Sequence, residues 1–271
     1  MQDKLRAVRR AVISLAALVI LWGIAAKYSD INPTLFPSPS KVCGAFKELA
    51  LSGLGGSSSR ATLWEHIVAS LGRFAAGYSL SGVCAVLLGL FLGWFPKLFA
   101  YVNPIVQILR PIAPVAWLPF LVLIVGIGDL PAIAIIFIAG FFPILLSTVT
   151  AVRNMDPLFF KVSRNFDLNG WETLVKIVFP ATFPQIAVAL RQALGTCWIF
   201  LVSGEMVGAQ SGLGFLIMDA KNCIRADALL ATMITIGVIG FTLDLLVGAG
   251  EKFIAKKWGV GVLKYVNEGG V

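Results

Sequence analysis

Three charged side chains, Arg110, Glu205 and Asp244, fall inside or at the edge of long apolar stretches. On insertion scales a charge in such a place costs about 2.5 to 3.5 kcal/mol, so each needs a partner or a task. Arg110 would attract an anion if it lined a passage; at the end of a shallow helix it would instead snorkel to the interface. Glu205 and Asp244 would repel an anion, and pairing with cations such as Arg73 or Arg110, or service as gates, suits them better. Hydrolytic chemistry lacks its residues. The one histidine, His66, is expected at an outer surface, so an H-E-x-x-H pair and a Ser with a His are both unavailable, and Asp244 has no obvious intramembrane Asp partner. Cys43, Cys84, Cys197 and Cys223 form no C-x-x-C pair and read as packing residues, with a disulfide between Cys43 and Cys223 as the one bond the topology allows. No G-x-x-x-x-G-K-[ST] occurs, so the chain cannot cradle nucleotide phosphates in the usual way.

The elements that must position these residues are helices in a bilayer. Of 271 residues 58% are hydrophobic and only 13% charged, and the mean hydropathy is +0.88. At about 20 residues per crossing, that leaves room for five or six spans. Apolar runs cover 11–26, 74–95, 98–127, 130–152, 186–207 and 228–250, which predicts an all-α polytopic membrane protein with six transmembrane helices. The third run is too long for one straight crossing; its "LRPIAP" predicts a lead-in helix over 98–109 and a break at Pro111 and Pro114. The net charge of +8 comes from Lys and Arg placed between apolar runs, not gathered on one face, which excludes nucleic acid as the partner. With the N-terminus inside, fourteen of the 22 basic residues fall on the inner side and seven on the outer, with Arg110 left in a span. Both termini are therefore expected in the cytoplasm.

The first run, preceded by Lys4, Arg6, Arg9 and Arg10, also has the form of a secretory signal, but a retained span suits a chain that is membranous throughout. The expected organisation is an N-terminal segment and first helix over 1–29, a Pro-, Gly- and Ser-rich outer connection over 30–73 with a weak amphipathic piece over 42–51, a core over 74–257 and a tail over 258–271. In "SGLGFL", Gly212 and Gly214 either fold the outer loop back towards a passage or make a simple turn. Trp117, Gly140, Phe141 and Phe142 are by default packing residues.

The longest inner loop, 153–185, carries acid, amide and base in an otherwise oily chain. Asp156 as N-cap with Pro157 behind it predicts one short helix, on which Phe159, Val162 and Phe166 share a face. Asn169, with Glu172 three residues on, predicts a second helix opened by a capping box. On it Trp171, Leu174, Val175 and Val178 share a face, Glu172 and Lys176 pair on another, and Pro180 and Pro184 interrupt it. Such capped amphipathic helices either dock a soluble partner or lie among lipid headgroups.

At these residues the sequence resembles the permease subunits of ATP-binding-cassette importers, in the nitrate, sulfonate and taurine branch. That family carries, between the fourth and fifth of six helices, a loop reading E-A-A, often R, then G, W, F and L-P. Aligned on Pro180, Arg164 and Trp171 match, Leu174 takes the aromatic's place, and Phe179 with Pro180 stands for Leu-Pro; Lys161 replaces the Glu, Val162 and Ser163 the Ala pair, and Asp167 the Gly. "ASLGRFAAGYSLSGVCAVLLGLFLGWF", "RPIAPVAWLPFLVLIVGIGDLPAIAIIFIAGFFPIL" and "GEMVGAQSGLGFLIMDAKN" resemble its second span, its third and fourth, and the end of its fifth, so the likeness covers 37–257. It implies a type I importer permease fold in the bacterial inner membrane and a coupling loop that docks an ATPase through Phe160, Lys161, Arg164, Asp167, Gly170, Trp171, Leu174 and Pro180. It implies a pathway for which Arg110, Trp117, Glu205, Gly212, Gly214 and Asp244 are candidates. The implied partners are ATPase subunits holding the ATP and Mg that this chain does not, a second permease subunit, expected to be an identical copy, a periplasmic substrate-binding protein, and membrane lipid. An oxyanion or organic sulfonate is the expected cargo, with bicarbonate or a thiamine precursor as alternatives in the same class and a passive channel or scaffold as the alternative outside it.

Overall fold

In the computed structural model, residues 2–28, 34–56 and 61–257 are described; within them the side chains of 2–5, 7, 8, 11, 15, 160–162, 164 and 252–257 are not. The described residues form helices and turns without a strand, as a lipid solvent demands when it offers no hydrogen bonds to backbone. In chain order these are α1 (Gln2–Tyr28), α2 (Pro39–Leu51), α3 (Leu63–Trp94), α4 (Pro96–Leu109), a 3₁₀ turn (Pro114–Trp117) and α5 (Leu118–Val125). Then come α6 (Asp129–Arg153), α7 (Pro157–Asn165), α8 (Gly170–Thr173), a π-helical turn (Leu174–Val178), α9 (Phe179–Gly208), α10 (Leu213–Asn222) and α11 (Ala226–Lys257). Four helices are long and apolar enough to cross a membrane, and α4 with the following 114–125 piece, bent by 83°, makes a fifth candidate; the apolar part of α1, Val12–Tyr28, is shorter. The described residues thus show up to five of the six expected spans.

Two compact units divide the chain: 1–69 with 211–237, and 70–210 with 238–271. In the first, the predicted amphipathic piece is α2, which buries Val42, Ala45 and Leu49 on one face. Arg225 donates to both oxygens of Glu48 (3.2 and 2.7 Å) and to Asp227, tying α2 to the start of α11. His66, expected at a surface, is instead buried, and its Nδ1 accepts the Gly212 N–H at 3.0 Å. Its ring stacks on Phe215 of α10, with centroids 6.1 Å apart. Cys43 and Cys223 are both free thiols, so the disulfide that the topology allowed does not form.

The second unit is organised by small residues at four-residue spacing on α3: Gly77, Ser81, Ala85, Gly89 and Gly93. A Cβ built on Gly77, Gly89 or Gly93 would sit 2.6–2.8 Å from Ile136, Thr148 or Val152, and one on Gly140 would sit 2.6 Å from Ser81 Oγ. Each α6 partner lies 59 positions after its α3 partner. A constant offset means that α3 and α6 run parallel in close backbone contact, the small-residue packing that membranes favour. The antiparallel α9 packs against α6 and α3 together: Gly204 lies against Ala132, Gly208 against Pro131, Cys197 Sγ reaches the Ile136 carbonyl at 3.4 Å, and the Tyr78 hydroxyl donates to the Leu190 carbonyl at 2.9 Å.

Parallel α3 and α6 require the chain to return from one end of the pair to the other between Trp94 and Asp129, and α4 with α5 is that return. The break falls where Pro111 and Pro114 predict it, but the piece beyond it is only the 3₁₀ turn and the eight residues of α5. Neither part alone is a full span; the two together make the passage.

Prolines act differently at the start of α9. Pro180 and Pro184 do not interrupt the second loop helix: 170–208 is one continuous helix of 39 residues. The missing N–H and bulky ring of Pro180 are absorbed by the π turn before it, in which the Phe179 N–H bonds to the Leu174 carbonyl five residues back.

Candidate functional site

The loop between α6 and α9 forms as its capping residues require. Asp156 Oδ1 accepts the Leu158 N–H (2.8 Å) at the start of α7. Asn169 Oδ1 accepts the Glu172 N–H (2.8 Å) while Glu172 Oε2 accepts the Asn169 N–H (3.2 Å), and Lys176 donates to Glu172 at 2.8 Å. Between the helices, the Leu168 N–H bonds to the Ser163 carbonyl (3.1 Å) across Asp167, whose φ is +48°. That is the helix C-terminus that normally takes glycine, and Asp tolerates the left-handed region better than most side chains.

Trp171, Leu174, Val175 and Val178 share a face as predicted, and the structure divides it: Trp171 and Val175 are exposed while the other two are buried. Leu174 and Val178 are buried in a cluster with Leu90, Val152 and Ile186. Trp171, 72% exposed, borders an apolar recess of about 740 Å³ together with Leu87, Phe91, Val175 and Phe179. The large apolar side chains free of this packing are Leu158 and Phe159 on α7 and Phe166 behind it, all exposed. Gly170 opens α8 and Pro180 lies in the first turn of α9. The side chains of Phe160, Lys161 and Arg164 lie outside the described residues.

The intramembrane charges find partners by helix register. Glu205, fully buried, accepts Arg73 Nη1 at 2.7 Å and the Ser70 hydroxyl at 2.8 Å, and Arg73 Nε reaches Asp129 at 2.7 Å. Arg73 is one of the two partners expected for Glu205. Asp244 pairs with neither Arg73 nor Arg110 but with Arg191, in a fork of 2.9 and 2.8 Å. Arg191 lies within α9, and Gly248 on α11 makes the space for its guanidinium. Arg110 caps the end of α4 at the proline break and is exposed. Trp117 Nε1 is buried there without a hydrogen-bond partner. Gly212, at φ +105°, and Gly214 begin α10, so the pair makes a helix-opening turn.

Residues 85–259 match the family described as binding-protein-dependent transport system inner membrane component. The chain belongs to this family. Among its relatives, the permease is 34% identical over 248 residues (91% of the chain, 90% of the relative) to a putative ABC transporter permease protein of Methanocaldococcus jannaschii. It is 30% identical to the taurine transport system permease protein TauC of Escherichia coli (89% and 86% covered) and 31% identical to the nitrate import permease protein NrtB of Synechocystis (90% and 88%). Its fold is that of the MetNI methionine ABC transporter in inward-facing conformations, with a TM-score of 0.61 and 20% identity over 72% of this chain and 95% of that one. The permease is thus an inner membrane component of a binding-protein-dependent transport system, a permease subunit and not a catalytic one.

Proposed function

We propose that this permease passes a small oxyanion or organic sulfonate from a periplasmic binding protein to the cytoplasm, driven by ATP and Mg held on two ATPase subunits docked beneath it. The observation that carries the reading is the α6–α9 loop. Leu158, Phe159 and Phe166 expose apolar surface on a short capped segment between two crossing helices, where a partner's motion would pass directly into both. The relatives named for taurine and nitrate supply the cargo class. Six crossings including α1, both termini in the cytoplasm, and pairing with a second identical permease complete the proposal. Trp171, Arg164, Lys161 and Phe160 are the other docking residues, and Glu205, Trp117, Gly212, Gly214 and Asp244 shape the pathway.

Docking is tested by co-purifying the ATPase with Leu158→Ala/Phe166→Ala, with Trp171→Ala and with Arg164→Glu. Loss of an anchoring contact worth at least 2 kcal/mol lowers recovery about 30-fold, and undiminished recovery in all three contradicts the docking assignment. The cargo is tested by ATP-dependent uptake of taurine, nitrate and bicarbonate into vesicles holding the assembled transporter. Uptake of none of them rejects the cargo class.

A further inference from the structure

Within the second unit, Arg73, Arg110 and Arg191 lie in or between helices that cross. Two are neutralised by carboxylates, Arg73 by Glu205 and Asp129 and Arg191 by Asp244. Arg110 is exposed, and no carboxylate among the described residues is within ion-pairing distance of it.

Its depth follows from packing. The Arg153 guanidinium, at the inner end of α6, lies over the Phe99 ring of α4. Val106 joins a buried cluster that extends from Leu92, Phe99 and Val149 to Ile144, Leu145 and Ala193, and along α4 Arg110 lies about 16 Å beyond Phe99. Arg110 is one turn beyond Val106, close to the middle of an α6 that is about 37 Å long. An unpaired guanidinium at mid-membrane must face water or an anion.

The rest of α4 agrees. Asn103, Gln107 and Arg110 fall within about 60° of one another around the helix, and Gln107 donates to Asn103 at 3.5 Å. Tyr101, Ile105 and Ile108, strongly exposed, occupy a different side. The polar row and the lipid-compatible surface are therefore separate. Directly after Arg110 the helix breaks, and Pro111 and Pro114 cannot supply the N–H groups that the Gln107 and Arg110 carbonyls would meet in a continuous helix. Irregular backbone at this depth is tolerated where it lines a watery cavity.

We propose that Arg110, with Gln107 and Asn103 on the same edge of α4, forms a mid-membrane contact for the sulfonate or oxyanion group of the cargo; this deepens the function proposed above and rests on it. The planar guanidinium presents paired N–H donors that match two oxygens of such a group. Unlike Arg73 and Arg191, it has no resident carboxylate to displace.

The test uses the full chain in membrane vesicles, with Cys43, Cys84, Cys197 and Cys223 each changed to Ala. Gln107→Cys is then labelled with small thiol reagents of opposite charge. The anionic reagent is expected to react roughly 10-fold faster than the cationic one, and the preference to vanish on adding Arg110→Gln and to survive Arg110→Lys. Ile108→Cys, on the lipid side, is expected to react with neither. Equal rates at Gln107→Cys, no labelling there, or a preference that persists in Arg110→Gln overturns the proposal. The labelling reads local potential without reference to cargo, so its failure is distinct from a failure to find anion uptake.

Discussion

Two side chains sit where backbone geometry asks for glycine. Asp167 follows α7 at φ +48°, and Ile224 follows α10 at φ +55°, with Arg225 N–H bonded to the Ala220 carbonyl and Ile224 N–H to the Lys221 carbonyl. A β-branched residue in the left-handed region is strained, so Ile224→Gly is expected to raise stability by about 1 to 2 kcal/mol. Asp167→Gly should gain less, up to about 1 kcal/mol; thermal unfolding of the purified variants in detergent measures both. At Glu205 the sign reverses: Glu205→Ala removes one of the two carboxylates that neutralise buried Arg73, leaving Asp129, and should cost about 1 to 3 kcal/mol, seen as a fall in the same transition. The need of Glu205 and Asp244 for cations was legible in their apolar surroundings. Which cation each takes was not, because that depends on how α3, α9 and α11 are registered.

The elements show the same division. The caps at Asp156 and Asn169 are local, involve neighbours within three residues, and were readable; the break at Pro111 and Pro114 was readable for the same reason. The continuation of α9 through Pro180 was not, since a π turn is a choice the helix makes under tertiary packing by Val178 and Ile186. Nor was the division of the Trp171 face, with Leu174 and Val178 buried in the protein's own core and Trp171 and Val175 exposed, because a helical stripe has the same period whatever covers it. Leu174→Ala accordingly tests core packing and should lower stability by about 2 to 5 kcal/mol while leaving ATPase recovery from the folded fraction unchanged. In the first unit, Arg225 hydrogen-bonded to Glu48 holds that carboxyl below its usual range. A lowered carboxylate contributes stability that is present above its unfolded value of about 4.3 and is lost as pH falls through the folded value. The melting temperature of the native chain should therefore drop on the acid side of pH 4.3 more steeply than that of Glu48→Gln, which differential scanning at stepped pH resolves.

For the whole molecule, hydrophobicity and the lengths of the apolar runs were enough to foresee an all-helical membrane body, and the loop motif together with the likeness of the second to fifth spans enough to foresee its family. That α3 and α6 run the same way follows from six alternating spans; their close backbone contact at a constant register was not foreseen, because it emerges only when both helices are folded. The central claim is that the α6–α9 loop is a handle on the cytoplasmic side, joined to crossing helices at both ends. Phe166, 72% exposed at the loop, gives the most direct measurement: labelling of Phe166→Cys, with the native cysteines removed, by a membrane-impermeant maleimide. The account predicts reaction in inverted vesicles, slowed by the bound ATPase, and none in intact cells; reaction in intact cells would put the handle on the wrong face and contradict it.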